Sequence, residues 1–179
     1  SAKNGYHLVV RNLATKKEDT LKFVTSYTFA KEGKRLAYIT TGEKKAKKGG
    51  VFVMNLENKR NSEVFSSNSK SKYYQLTFND KGSSLGFVVD QDTTKALVRP
   101  NELYTWKEGT KLSKAFKTLD AASAPKGYRV SSDGRISFSK DDSKMYFGLS
   151  AQPIVKDTTL LKEEIVNVEV WAYDSPRLY

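Results

Sequence analysis

Apolar and polar residues alternate with period two in short runs along most of the chain, and clusters of Asn, Asp, Gly, Ser and Lys separate the runs. Residues 75–90, QLTFNDKGSSLGFVVD, show the pattern in full: an apolar and β-branched run ending at Phe78, the polar stretch Asn79-Asp80-Lys81-Gly82, then apolar side chains at Leu85, Phe87 and Val89. This predicts a β-hairpin. Asn, Asp and Gly tolerate the left-handed backbone that a reversal needs, and period-two spacing gives each strand one buried face.

The same frame occurs twice more, as residues 27–38 around Phe29 and residues 136–147 around Phe138. Aligned on the Phe, the three copies share Phe-x-x-x-(Gly/Asp)-x-x-(Leu/Met)-x-(Tyr/Phe). Phe78 follows Phe29 by 49 residues and Phe138 follows Phe78 by 60. A four-stranded propeller blade repeats at roughly 40–50 residues, so the spacing fits blades with loop insertions.

Each such hairpin should be followed by a second one. After the first copy come Val51–Leu56 in sequence, VFVMNL, a polar turn at 57–61 and a strand at 62–65. After the second come residues 102–106, ELYTW, the turn Lys107-Glu108-Gly109-Thr110 and a strand at 111–116; after the third comes 168–173, VEVWAY. Ahead of the first copy, residues 6–13 with the turn 14–19 read as another hairpin of the second type, without its first half. The fold class predicted is all-β, a β-propeller segment of four-stranded antiparallel blades: a partial blade at 6–23, whole blades at 24–66 and 73–116, and a partial blade at 134–175.

Closure of a propeller takes at least about four blades. The chain is therefore expected to be an arc of something larger, and its unpaired blade edges are expected to favour self-association. The connections carry the irregularity. Asp90–Asn101 in sequence, DQDTTKALVRPN, interrupts the second whole blade and reads as a surface loop; residues 119–129 include a helical turn near 120–123; residues 150–167 form the longest insertion, with a capped helix start at Asp157-Thr158-Thr159.

The formal charge of +11 raises nucleic acid as a partner. The densest basic run, Lys44-Lys45-Ala46-Lys47-Lys48, is bracketed by glycines between two strands and reads as a solvated loop, while the aromatic residues occupy strand positions expected to be buried. No nucleic-acid partner is expected. The chain has no Cys, which removes disulfides and thiol chemistry, and no run of about 18 apolar residues, so no membrane-spanning helix and no membrane partner are expected. Residues 1–5 do not read as a signal peptide; a periplasmic or otherwise exported parent would carry its signal upstream.

One motif suggests chemistry. Gly82-Ser83-Ser84-Leu85-Gly86 matches G-x-S-x-G, the nucleophile elbow of α/β-hydrolases, but the elbow needs a strand before the Ser and a helix after it. Here a turn precedes Ser84 and a strand follows. The single histidine, His7, lies ahead of Ser84 inside a predicted strand, whereas hydrolase triads run Ser, acid, His. Ser84 is read as a hairpin residue and His7 as a strand side chain with a local hydrogen bond. No catalytic residue, metal ligand or cofactor is expected. Asp141-Asp142 and Asn79-Asp80 are read as turn caps rather than calcium ligands. Glu163 and Glu164, an adjacent carboxylate pair in the long insertion, are the candidate contacts for a peptide amine.

The repeated hairpin, followed by a Val-Phe-Val-Met-Asn-Leu type of strand, resembles the propeller of the prolyl oligopeptidase family. Gln75-Leu76-Thr77-Phe78, Asp92-Thr93-Thr94-Lys95-Ala96, Pro125-Lys126-Gly127-Tyr128 and Asp157-Thr158-Thr159-Leu160-Leu161 through Val168-Glu169-Val170-Trp171 resemble the propeller of such serine peptidases from Bacteroides-type bacteria. The resemblance spans nearly the whole chain. It implies a non-catalytic propeller in front of an α/β-hydrolase domain that carries Ser, Asp and His downstream, with the propeller gating peptide substrates and docking on the hydrolase. Dipeptidyl peptidase relatives use a Glu-Glu pair preceded by an aromatic residue; here Leu161-Lys162 precedes Glu163-Glu164. The alternative is a free-standing propeller that binds other proteins.

Overall fold

The structure, a computed structural model, describes residues 5–43, 47–68, 70–109, 116–119 and 121–153. Among them there is no α-helix; a single 3-10 turn at Ala121–Ser123 falls where a helical turn was expected. The strands are β1 (Tyr6–Arg11), β2 (Glu18–Phe29), β3 (Arg35–Glu43), β4 (Lys47–Asn55), β5 (Asn61–Ser66), β6 (Lys72–Phe78), β7 (Ser84–Asp90), β8 (Asn101–Lys107), β9 (Phe116–Leu119), β10 (Tyr128–Val130), β11 (Ser137–Phe138), β12 (Met145–Tyr146) and β13 (Leu149–Ala151). All pairings are antiparallel between neighbours: β1 through β5 form one meander, β6 through β9 a second, and β11–β12 with β10–β13 make the third hairpin.

The three inner turns have one geometry. In each, the first residue donates its N–H to a carbonyl five residues on (Ala30 to Arg35 at 2.9 Å, Asn79 to Ser84 at 3.0 Å, Ser139 to Lys144 at 3.0 Å) and accepts from the fourth residue (Gly33, Gly82, Asp142). That fourth residue is left-handed every time, with φ of 70°, 66° and 60°. Gly is the usual occupant because it has no Cβ to clash there. The outer turns repeat as well: Asn12 Oδ1 accepts from the N–H groups of Ala14 and Thr15, as Asn55 Oδ1 does from Glu57 and Asn58, and Lys16 and Lys59 both have φ of 60°.

The sheets pack face to face. Ala37, Ile39, Val51, Val53 and Val64 of the first sheet meet Leu85, Phe87, Val89, Tyr104 and Trp106 of the second in one buried layer. Phe65 and Tyr104 rings lie 4.4 Å apart in it, and Phe87 stacks on Tyr104 at 5.9 Å. On the outer face of the first sheet, Val24, Leu36, Tyr38 and Met54 are covered by Leu8, Val10 and Leu21 of the opening hairpin. On the outer face of the second, Val88 and Leu103 meet Val130, Ile136, Phe138, Met145 and Phe147 of the third hairpin. Between the layers, β6 lies against β2 and β3, and β10 and β11 lie against β8 and β6. Antiparallel sheets of this kind stacked face to face are propeller blades.

Period two predicts one buried face per strand, yet all seven residues of β7 are buried, as are Leu36 to Thr40 of β3. A blade is covered on both sides: Leu85, Phe87 and Val89 face the preceding blade, and Gly86 and Val88 the following one.

Three expected boundaries move. The break expected between 23 and 24 falls inside β2, which runs unbroken from Glu18 to Phe29, pairing β1 with its first half and β3 with its second. A positive φ of 58° at Phe23 and a register shift between Val24 and Ser26 turn the strand from one pairing to the other. The last strand of the second blade, expected at 111–116, is β9 at Phe116–Leu119, because Tyr104 pairs with Lys117 and Thr105 with Phe116. The third hairpin starts at Tyr128 rather than 134, since β10 pairs β13 outside the β11–β12 ladder; between the two ladders the Cα of Gly148 lies 2.7 Å from where a Gly134 Cβ would stand. The strand expected at 168–173 lies outside the described residues.

Candidate functional site

Turns 30–33, 79–82 and 139–142 gather at one end of the blades, and the longer connections at the other. The long-loop end carries the polar chemistry. Asp90, the last residue of β7, is buried, its side chain 1% exposed, and Arg99 reaches back across the loop to it, Nε at 2.7 Å and Nη2 at 2.6 Å from Oδ2. Nη1 of the same guanidinium lies 2.7 Å from Asp92 Oδ2. Asp92 also accepts from the Thr94 hydroxyl at 2.6 Å and from the N–H groups of Thr94 and Ala96. These donors, the Thr94 hydroxyl foremost, hold the Asp92 carboxyl down at about 2. The hydrogen bond to Asp90 in turn raises Arg99. The surface loop expected over Asp90–Asn101 is shorter at both ends, because Asp90 and Asn101 are buried strand residues; residues 91–100 between them form a surface loop closed by one guanidinium on two carboxylates.

Beside this loop, Gln91 donates to Glu102 at 2.9 Å, and Lys117 lies 2.7 Å from the other oxygen of Glu102. Asn68 donates to the Gln91 carbonyl at 3.1 Å, and the Ser67 N–H donates to the Tyr73 hydroxyl at 3.2 Å. These bonds tie the link between the two blades to the second blade. Behind them a cleft of about 280 Å³ opens between the blades, walled by Thr25, Thr40 and Gly49 on one side and by Ser71, Lys72, Tyr73 and Tyr74 on the other. Burial raises the phenols of Tyr73 and Tyr74. Ser71 Oγ is buried beside the Tyr73 hydroxyl, near enough to favour its ionised form but without the alignment of a hydrogen bond. The cleft can seat a short extended segment through hydroxyls and one ammonium group. Among the described residues that line it there is no carboxylate or imidazole.

Ser84 stands at the start of β7, buried, its N–H donating to Asn79 Oδ1 at 2.9 Å and its carbonyl accepting from the Asn79 N–H. It pairs with Lys107 in the ladder, so a strand follows it and the elbow geometry is absent. His7 is an exposed strand residue whose ring meets Phe23 edge to face at 5.8 Å; that ring contact takes the place of the local hydrogen bond expected for it. Asp141 is a turn cap: it accepts from the Ser139 and Ser143 hydroxyls at 2.5 and 2.7 Å, which lower its carboxyl to about 2, the Ser139 bond foremost. Among the described residues no group of three or more His, Cys, Asp or Glu comes together to hold a metal. Glu163 and Glu164 lie outside the described residues. The Asp90, Asp92 and Arg99 constellation was not singled out from the sequence; its signal was an Asp-x-Asp pair at the start of a loop with an Arg just before Pro100.

The sequence matches no family model and no curated protein. Its structure is similar to the crystal structure of the tricorn protease, with a TM-score of 0.54 and 12% identity over 81% of this chain and 13% of that one. It is also similar to a structure from a study of two prolyl endopeptidases concerned with inter-domain dynamics in catalysis and specificity, with a TM-score of 0.51 and 13% identity over 84% of this chain and 23% of that one. The chain thus spans less than a quarter of either protein. At this identity the likeness establishes the fold, stacked antiparallel β-propeller blades.

Proposed function

We propose that these blades form a non-catalytic propeller domain of a prolyl-oligopeptidase-like serine peptidase, gating peptide access to an α/β-hydrolase domain and docking on it. The observation that carries this reading is the face-to-face stacking of antiparallel blades, the second of them buried on both faces, a fold similar over 84% of this chain to a prolyl endopeptidase structure. Selection would be steric. The peptide would be held between propeller and hydrolase, in an exported protein, and Glu163 and Glu164 would be candidate contacts for its amine.

The test is the reading frame beyond Tyr179. The proposal requires a strand, a G-x-S-x-G turn and a helix, followed by Asp and then His. A frame without that order removes the peptidase reading and leaves a propeller that binds other proteins.

A further inference from the structure

The cations of this basic chain are not neutralised evenly. At the end of the blades where the tight turns gather, Lys31, Lys34 and Lys81 meet the carboxylates of Asp80, Glu57 and Asp142. At the long-loop end, Lys22, Lys70 and Lys72 are exposed and meet no carboxylate among the described residues. The acids of that end are engaged elsewhere: Asp90 and Asp92 hold Arg99, Glu102 holds Lys117, and Glu63 accepts from the Ser66 hydroxyl at 3.0 Å. Asp133 bears on Tyr74 from the side of the next junction, where that ring packs.

The three lysines stand round the cleft between the two whole blades. Lys72 is part of its wall. The Lys22 carbonyl accepts from the hydroxyl of Thr40, another wall residue, at 3.1 Å. Lys70 lies in sequence between the wall residues Asn68 and Ser71, with its ammonium 3.5 Å from the Thr93 carbonyl. The Tyr73 hydroxyl accepts from the Ser67 N–H and keeps its own proton to donate. The cleft is therefore furnished with donors and positive charge. It is also particular to this junction: aligned on Phe29 and Phe78, Thr25 stands where the second blade has Tyr74, whose ring packs beside Val88 and Val130. A small hydroxyl in place of a ring leaves the space open.

We propose that this cleft and the lysines round it bind an extended acidic peptide segment, with one peptide carboxylate on Lys72 and its neighbours on Lys22 and Lys70. Side chains two residues apart on an extended chain lie on one side, about 6.6 Å apart, so alternating Asp or Glu residues present a row of charges to several ammonium groups. A single chain end carries one carboxylate and would leave the flanking lysines unmet. Bound nucleic acid would want open aromatic faces for its bases, and the Tyr73 ring is half-buried against Phe65, edge to face at 6.1 Å. Complementary charge supplies the selectivity. The inference stands apart from the peptidase reading, because binding is measured on this chain whatever follows Tyr179.

The test uses the whole 179-residue chain and a short synthetic peptide, acetylated and amidated, in which Glu alternates with Ala. Expected is saturable binding by fluorescence anisotropy that weakens as salt is added, and at least about tenfold weaker binding, a loss of about 1.4 kcal/mol, for the same peptide with Gln in place of Glu. Lys72→Gln should cause a similar loss. So should Thr25→Tyr, which fills the cleft without changing its charge; should that variant misfold, Lys72→Gln and the two peptides still decide. Lys31→Gln, at the opposite end, should leave binding unchanged. Equal binding of both peptides, or binding of neither, overturns the proposal. Equal weakening by Lys72→Gln and Lys31→Gln overturns it too, since the attraction would then belong to the net charge and not to the cleft. Tighter binding of a single-stranded oligothymidylate that displaces the Glu peptide would make nucleic acid the occupant and likewise overturn it.

Discussion

The Cβ that Gly82 lacks would stand 2.7 Å from the Cβ of Ala30, the first residue of the equivalent turn one blade earlier. Neighbouring blades thus touch turn to turn as well as through their cores. Arg35, at the base of the first turn, adds to the contact by donating to the Gly82 carbonyl at 3.2 Å and pairing with Glu108. Lys31 meets Asp80 at 3.1 Å, and Lys81 meets Asp142 at 3.1 Å in the next junction.

Gly82→Ala is expected to destabilise by roughly 2–4 kcal/mol, from the left-handed backbone and the collision with Ala30 together. Gly33→Ala supplies the comparison, because Gly33 has φ of 70° but nothing within 4 Å of an added Cβ. It should cost only the backbone part, roughly 1–2 kcal/mol. Urea titration of both variants measures the difference; equal losses would mean the turns do not bear on each other.

Gly86→Val is expected to cost about 1–3 kcal/mol by overpacking and to loosen the third hairpin specifically. Its added methyls press on Ile136 and Met145, both on that hairpin. Hydrogen exchange should therefore quicken at Met145 and Tyr146 while Val53 and Phe87 keep their protection. Uniform quickening would contradict this.

Phe87→Ala removes a fully buried ring that stacks on Tyr104 and lies 6.0 Å from Phe65, between the two whole blades. A loss of about 3–5 kcal/mol is expected. Because the layer belongs to both sheets, tryptophan fluorescence from Trp106 in the second sheet and amide exchange at Val51 in the first should report one shared transition. Two separated transitions would show that the blades fold independently.

The Asp92 carboxyl is held at about 2, below its ordinary 3.8. A carboxyl that releases its proton more readily when folded adds stability above its unfolded value, and that contribution fades as pH falls from about 3.8 through about 2. Asp92→Asn should lower stability at neutral pH and flatten its acid dependence in that window. Arg99→Ala should leave Asp90 buried without its cation and open the loop, seen as faster tryptic cleavage after Lys95. An unchanged acid profile in Asp92→Asn, or unchanged cleavage in Arg99→Ala, would count against the brace.

Hairpins centred on Phe29, Phe78 and Phe138 were legible because their turns are local: the residue that needs a left-handed backbone is the fourth of each reversal, and Gly or Asp marks it. The fold class followed from their spacing. What covers each strand was not legible. Val88 and Phe87 look alike in the chain, and only the neighbouring blades decide that both are buried. The unbroken run of β2 through Phe23 escaped for a similar reason, since a bulge depends on two partner strands at once. Arg99 was read, with Asp90 and Asp92, as part of one polar loop, because the pattern alone does not show that Asp90 ends a buried strand and needs a cation. The candidate pair Glu163 and Glu164 rests on the sequence alone.

A strand that belongs to two pairings is also a mechanical element. Tension applied at Gly5 would pass through β1 into β2 and load the β2–β3 ladder along its length, in shear. Among the described residues the third hairpin is divided between two short ladders, two residues long at β11–β12 and three at β10–β13, with no strand shared between pairings as β2 is. The arc would thus resist pulling at its amino-terminal side and yield first at the other, a polarity that single-molecule extension in the two directions would read as different rupture forces.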